Sequence, residues 1–198
     1  MSDPAIALLE FDSISAGIVS GDAMVKSSPL GSIYAGTVHP GKYLVLVSGD
    51  TASVEVALST GTDIGGGHIT DLVFLPDIHP AVTSAIVGRA EKATLGEEAL
   101  GIVETSSVAS VIDGADAGVK AAHVVLGAVG LADGLGGKGY VFFSGTVSDV
   151  EAAVEAAVSR VESHGTLIRS DVIAQLHHEM IENLGGQLRF LKRVGSQD

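Results

Sequence analysis

The chain states the same pattern twice, and that constrains its fold more than anything else in it. Residues 8–14 (LLEFDSI) align with residues 102–108 (IVETSSV) at an offset of 94, which also pairs Glu10 with Glu104, Ser13 with Ser107, Asp22 with Asp116, Ala23 with Ala117 and Lys26 with Lys120. The offset then becomes 96, pairing Gly41 with Gly137, Lys42 with Lys138, Val45 with Val141, Ser48 with Ser144, Gly49 with Gly145, Val54 with Val150 and Glu55 with Glu151. It ends at 98, with His79 over His177. An ordered series whose steps fall in loops is a tandem duplication. The 198 residues therefore divide into two small domains of one design.

Each copy reads as strand, helix, strand, strand, helix, strand and a short final helix. Ala5–Phe11 is a short apolar run that reads as a strand, and Ile14, Ile18, Gly21 and Val25 recur at helical spacing, which predicts a helix. Residues 33–38 and 43–47 flank a loop containing Pro and Gly and read as a hairpin. Val54, Ala57, Leu58 and Gly61 mark one face of the next helix. Its counterpart is expected to start at Ser148 and Glu151, in capping-box spacing, and to run through Val150, Val154, Val158 and Val161. Ile69–Leu75 and 166–173 are the last strands, with short helices beginning near Pro80 and His177.

This βαββαβ order is the ferredoxin-like plan: an α/β (α+β) domain with an antiparallel sheet and its helices on one face. The expected layout is a first domain over 1–88, a linker over 89–98, a second domain over 99–184 and a tail over 185–198. In the tail Leu188, Phe190, Leu191 and Val194 predict partial docking on a neighbour.

Charge narrows the partners. Eleven basic against 24 acidic residues leave a net charge of −13, which disfavours phosphate backbones and anionic membranes; no nucleic-acid or membrane partner is expected. The absence of cysteine removes disulfides, thiolate catalysis and Cys-ligated zinc or iron–sulfur sites. The first residues lack a basic, apolar leader pattern, and the apolar runs are too short to cross a bilayer, so a soluble, cytoplasmic protein is expected.

Three local patterns suggest chemistry and fall short of it. Residues 36–42 (GTVHPGK) approach the phosphate-loop pattern, but Tyr43 stands where Ser or Thr is needed and a strand follows instead of a helix. His178-Glu179-Met180-Ile181-Glu182 opens like a zinc-peptidase helix but has Glu182 in place of the second His, and His177 matches His79, so these read as surface or interface histidines. Asp22/Lys26 and Asp116/Lys120 are solvated i,i+4 pairs on the simplest reading, and their recurrence suggests an interface. No catalytic residues emerge, and an enzyme is not expected.

The ordered set 9–10 (LE) with 21–26 (GDAMVK), 101–105 (GIVET) with 115–120 (ADAGVK), and the strand-to-helix steps at 49–54 and 145–150 resembles the bacterial microcompartment (BMC) domain, twice over. Two fused, non-permuted copies resemble the tandem, trimeric shell proteins (BMC-T). The resemblance implies a structural shell protein: a homotrimeric pseudohexamer that tiles into facets with other shell proteins, within a cytoplasmic microcompartment. It also implies a central pore for small metabolites, lined by Val38, His39, Pro40 and Gly41 and by Gly134, Leu135, Gly136 and Gly137. Tile-edge contacts are implied for Lys26 and Lys120. The arginine often found before the late His is replaced by Asp77 and Gln175, and His39 stands where some relatives carry a pore-loop Cys, so no Cys-ligated iron–sulfur cluster is expected. No cofactor is expected beyond a metal at a threefold ring of His39 imidazoles. The competing expectation is a trimeric ferredoxin-like small-molecule sensor or metal-binding protein.

Overall fold

The computed structural model describes residues 4–89 and 98–185. The first domain runs β1 (Ala5–Phe11), α1 (Ile14–Ser27), β2 (Ser32–Val38), β3 (Lys42–Gly49), α2 (Thr51–Gly65), β4 (Ile69–Leu75) and α3 (Pro80–Ile86). The second runs β5 (Ala99–Thr105), α4 (Val108–Ala121), β6 (Val125–Leu131), β7 (Gly139–Gly145), α5 (Val147–His164), β8 (Leu167–Ala174) and α6 (His178–Gly185). The two sheets have the same strand order, β2-β3-β1-β4 and β6-β7-β5-β8, and every pairing is antiparallel. Even the irregularity repeats: the register shifts at Glu10/Phe11 and again at Glu104/Thr105. Most of the expected linker and nearly all of the expected tail lie outside the described residues.

β1 is apolar on both faces because both are covered. Ala5, Ala7, Leu9 and Phe11 join Met24, Val45, Val47, Val54 and Ala57 in the core shared with α1 and α2. Ile6 and Leu8 point the other way, into a cluster that continues through Val82 and Ala85 of α3 to Val108, Val111 and Ile112 of α4. Strand alternation sends neighbouring residues to opposite faces, so a run without alternation marks a strand covered on both. One apolar cluster thus crosses from the first domain into the second. α1 with α2, and α4 with α5, cover the expected face, while α3 and α4 share the cluster on the other side of the first sheet.

The helix starts and faces differ in detail from the sequence pattern. The helix read from the spacing of Ile14, Ile18, Gly21 and Val25 is present, but of these only Gly21 is buried; the side packed against the sheet and α2 is Gly17, Ser20, Gly21 and Met24. Small residues allow close helix contact, and Ser20 Oγ donates to Gly61 O of α2 at 2.8 Å. The cap of α5 lies two residues before the expected Ser148: Thr146 Oγ1 accepts from Asp149 N at 3.2 Å. Thr146 and Asp149 have the N-cap and N3 spacing that satisfies free amide donors at a helix start.

The two cores fill the same space in different ways. In the first domain the bulk is Met24 on the helix: a Cβ on Gly61 would come within 2.7 Å of it, and the strand position that Phe143 takes in the second domain holds the smaller Val47. In the second, Gly118 takes the place of Met24 and Phe143 that of Val47. A Cβ on Gly118 would lie 2.3 Å from the Phe143 ring.

Candidate subunit interface and pore loops

The junction between the two domains is built from the repeated residues. Glu10, fully buried, accepts from the amide of Val108, the first residue of α4, at 2.9 Å and from Lys42 Nζ. A carboxylate at a helix N-terminus satisfies an amide that has no partner within the helix and meets the positive end of the helix dipole. Lys42 Nζ also reaches Ser106 O at 3.5 Å. Beside this pair, Asp71 of β4 accepts from the hydroxyls of Ser107 and, at 2.5 Å, Ser110, while its Oδ1 lies 2.9 Å from His164 Nδ1. His164 Nε2 lies 3.1 Å from Asp113 Oδ2, and Arg160 donates to Asp113 Oδ1 at 3.0 Å. Farther along α4, Asp116 accepts from the His79 amide at 2.8 Å, and Lys120 Nζ donates to Asp77 O as well as to Asp116 at 2.6 Å.

Two of these groups are displaced from their usual ionisation. Burial opposes the charged form of His164, but its bonds to Asp71 and Asp113 outweigh that and raise its pKa. Burial likewise pushes Asp71 upward, and hydrogen bonds from Ser107, Ser110 and His164 reverse the effect, leaving it below the ordinary carboxylate value. Hydrogen bonding to a charged form is the term that overrides desolvation in both.

Each half of this junction has an unmatched twin elsewhere in the chain. Glu104 and Lys138, the counterparts of Glu10 and Lys42, form a 2.8 Å pair at the rim of a concavity of about 440 Å³ whose lining includes Ile102, Leu135 and Tyr140. Among the described residues no helix start sits against Glu104 as α4 sits against Glu10, and its side chain is 33% exposed. On the first domain, Ile14, Ile18, Val19 and Val25 are 42–56% exposed, whereas Val108, Ile112 and Asp113, which occupy the matching places of the first three, are at most 2% exposed. α6 repeats the asymmetry: Met180 is 50% exposed where Val82 of α3 is fully buried.

The structure brings together the two loops assigned to a pore. A Cβ on Gly137 would lie 2.9 Å from Pro40 Cδ, and His39 Nδ1 is 3.9 Å from Asp133 Oδ1. Asp133 was not singled out from the sequence, where a lone acid next to a Gly-rich run carries no pattern. Gly41, Gly134, Gly136 and Gly137 all take positive φ, as does Ala132 at 52°, which fits the tight reversals there. Lys26 is an exposed partner of Asp22 at 2.6 Å, while Lys120 lies at the internal junction. His79 caps α3, and the exposed His177 and His178 stack on each other with ring centroids 4.5 Å apart.

This repeated architecture has a match among known families. The BMC domain model matches residues 5–78 and again 99–176. The chain belongs to the BMC-domain family. Among BMC-domain relatives, the bacterial microcompartment shell protein PduT of Citrobacter freundii is 42% identical over 176 residues, covering 89% of this chain and 95% of the relative. The shell protein EutM of Salmonella typhimurium is 35% identical over 85 residues, 43% of this chain and 86% of the relative, as a single-copy match should be. Among solved BMC structures, a microcompartment protein from Desulfitobacterium hafniense superposes with a TM-score of 0.78 at 35% identity, covering 91% of this chain and 99% of that one.

Proposed function

We propose that this chain is a structural shell protein of a bacterial microcompartment, in which three copies close a ring of six BMC domains. The observation that carries this reading is the pair of unmatched half-junctions. The edge with Glu104, Lys138 and α6 repeats the edge with Glu10, Lys42 and α3, and the outer face of α1 repeats the buried face of α4. An interface joining two different surfaces propagates head to tail and ends only in a closed ring. Ile14 and Ile18 are about half exposed, so completing their burial adds about 1 kcal/mol each. The ring would place His39 and Asp133 of each chain around a central opening, with the loops 38–41 and 134–137 as its lining for small polar solutes. Lys26 and Lys120 would lie toward the edges where rings tile with one another and with other shell proteins.

Among the described residues, no group of three or more His, Cys, Asp or Glu within one chain is placed to hold a metal. A metal at the opening would therefore draw a His39 from each of three chains. Metal analysis of untagged protein, wild type beside His39→Ala, tests that; we expect equal, sub-stoichiometric zinc in both.

Sedimentation and electron microscopy of the purified protein test the main proposal. A trimer at micromolar concentration, assembling into sheets or tubes, is the expected result. Lys26→Asp, which breaks only an exposed pair with Asp22, should keep the trimer and abolish the sheets. A wild-type protein that stays monomeric contradicts the ring.

A further inference from the structure

We infer that the contact between chains is specified by a salt bridge from Arg169 of one copy to Asp12 of the next, reversing the charge of the junction inside the chain. This inference rests on the ring reading above, and it concerns which surface recognises which.

Arg169 pairs with Glu104 in the sheet as Asp71 pairs with Glu10, so the two residues hold the same place at their domain edges. Asp71 is suited to what faces it in the second domain: the hydroxyls of Ser107 and Ser110 and the imidazole of His164. The matching surface of the first domain is different. Ala16 stands for Ser110, Val19 for Asp113 and Ile64 for Arg160, which leaves Ser13, the counterpart of Ser107, but removes the other polar groups at these places. Val19 and Ile64 are 56% and 52% exposed, an apolar patch that the described residues leave uncovered. Beside it lies Asp12, where the second domain has Ser106; its side chain is 57% exposed, and its Oδ1 lies 2.9 Å from His68 Nδ1.

An arginine suits that surface, since its aliphatic stem covers apolar atoms while its guanidinium reaches a carboxylate. In the single chain Arg169 is 73% exposed and, among the described residues, is paired with Asp171 on its own strand at 2.6 Å. An aspartate there, as in the first domain, would set two carboxylates face to face. The substitutions therefore act as a pair. The second-domain edge attracts an α1 face, and the first-domain edge, carrying Asp71, is repelled from one. Like charges set against the wrong partner are a common way to enforce order in an interface. The occupant recognised is a second copy of this chain, in one orientation.

The test is a charge exchange followed by analytical ultracentrifugation. Arg169→Asp and Asp12→Arg should each weaken association by about tenfold or more, and the double variant should recover to within about threefold of wild type. Both positions are exposed in the single chain, so melting of the monomeric variants should match one another and shows that folding is intact. Single variants that associate like wild type, or a double variant that does not recover, overturn the pairing while leaving the ring standing. A monomeric wild-type protein instead overturns the ring.

Discussion

α1 and α4 are the same helix in two settings. Each has 14 residues, each is capped by a serine whose side chain accepts an amide, and each carries Asp-Ala-x-x-Lys in its second half. In α4 ten residues are buried, because the first domain lies across its outer face; in α1 only Gly17, Ser20, Gly21 and Met24 are. Burial here is a property of the neighbour more than of the helix. The outer face of α1, with Ala16 and Val19 where α4 has Ser110 and Asp113, is more apolar than that of α4, and the described residues leave it uncovered. A surface that keeps isoleucine and valine in water beside a twin that buries them indicates a partner that resembles the twin's own.

The strongest way to break this comparison is to place a charge on each helix in turn. Ile112→Asp buries an unpaired carboxylate in the cluster that joins the domains, and we expect a loss of more than about 4 kcal/mol, enough to unfold the chain. Ile18→Asp, at the matching site, should leave the melting temperature of the monomer within a few degrees and abolish self-association. Thermal unfolding with sedimentation separates the two. If Ile18→Asp unfolds the monomer as well, the two faces do not differ as described.

A smaller contrast lies in the two glutamates. Glu10→Ala removes the partner of the Val108 amide and leaves Lys42 half-buried without its carboxylate, a loss of about 2–4 kcal/mol in chain stability by denaturant titration. Glu104→Ala should cost the monomer less than about 1 kcal/mol, because its pair with Lys138 is solvated. Its effect should appear in the trimer dissociation constant.

The smallest effect is a pH dependence peculiar to the internal junction. His164 has a raised pKa, so its contribution is complete below the unfolded value of about 6.5 and is lost as pH rises through the higher folded one. Asp71 has a lowered pKa, so its contribution is complete above about 3.8 and is lost as pH falls through the lower folded value. The junction is therefore strongest in the mildly acidic range between them. His164→Gln should lower the melting temperature most near pH 5.5 and progressively less above pH 7. A difference that is flat from pH 5 to 8 argues against a charged His164 at the junction.

Most of the fold was legible because its signals are local. The repeat set the domain count, the apolar runs located the strands, and the Gly-containing loop between 33–38 and 43–47 marked a hairpin. Helix orientation was less so. Ile14, Ile18 and Val25 satisfy helical periodicity, and periodicity cannot tell a core face from one awaiting another molecule. The junction was half legible. Asp116 and Lys120 stood out because they recur, whereas Asp71 and His164 do not repeat as a pair, and only the folded chain brings β4 onto the end of α5. Asp133 was likewise invisible until the two loops lay side by side.

The contrasting core fillings, Met24 over Val47 in one domain and Phe143 beneath Gly118 in the other, bear on how such a gene can evolve. Tandem repeats recombine, and copying one repeat's helix over the other is a frequent kind of rewriting. Here the copy fails both ways: Met24 brought into the second domain would run into Phe143, and Gly118 brought into the first would leave a void beside Val47. Exchanges confined to one helix would thus cost stability in either direction, while exchanges of a whole domain would erase the charge difference between the two edges. The duplicate halves are held apart, and each is free to specialise its own loop.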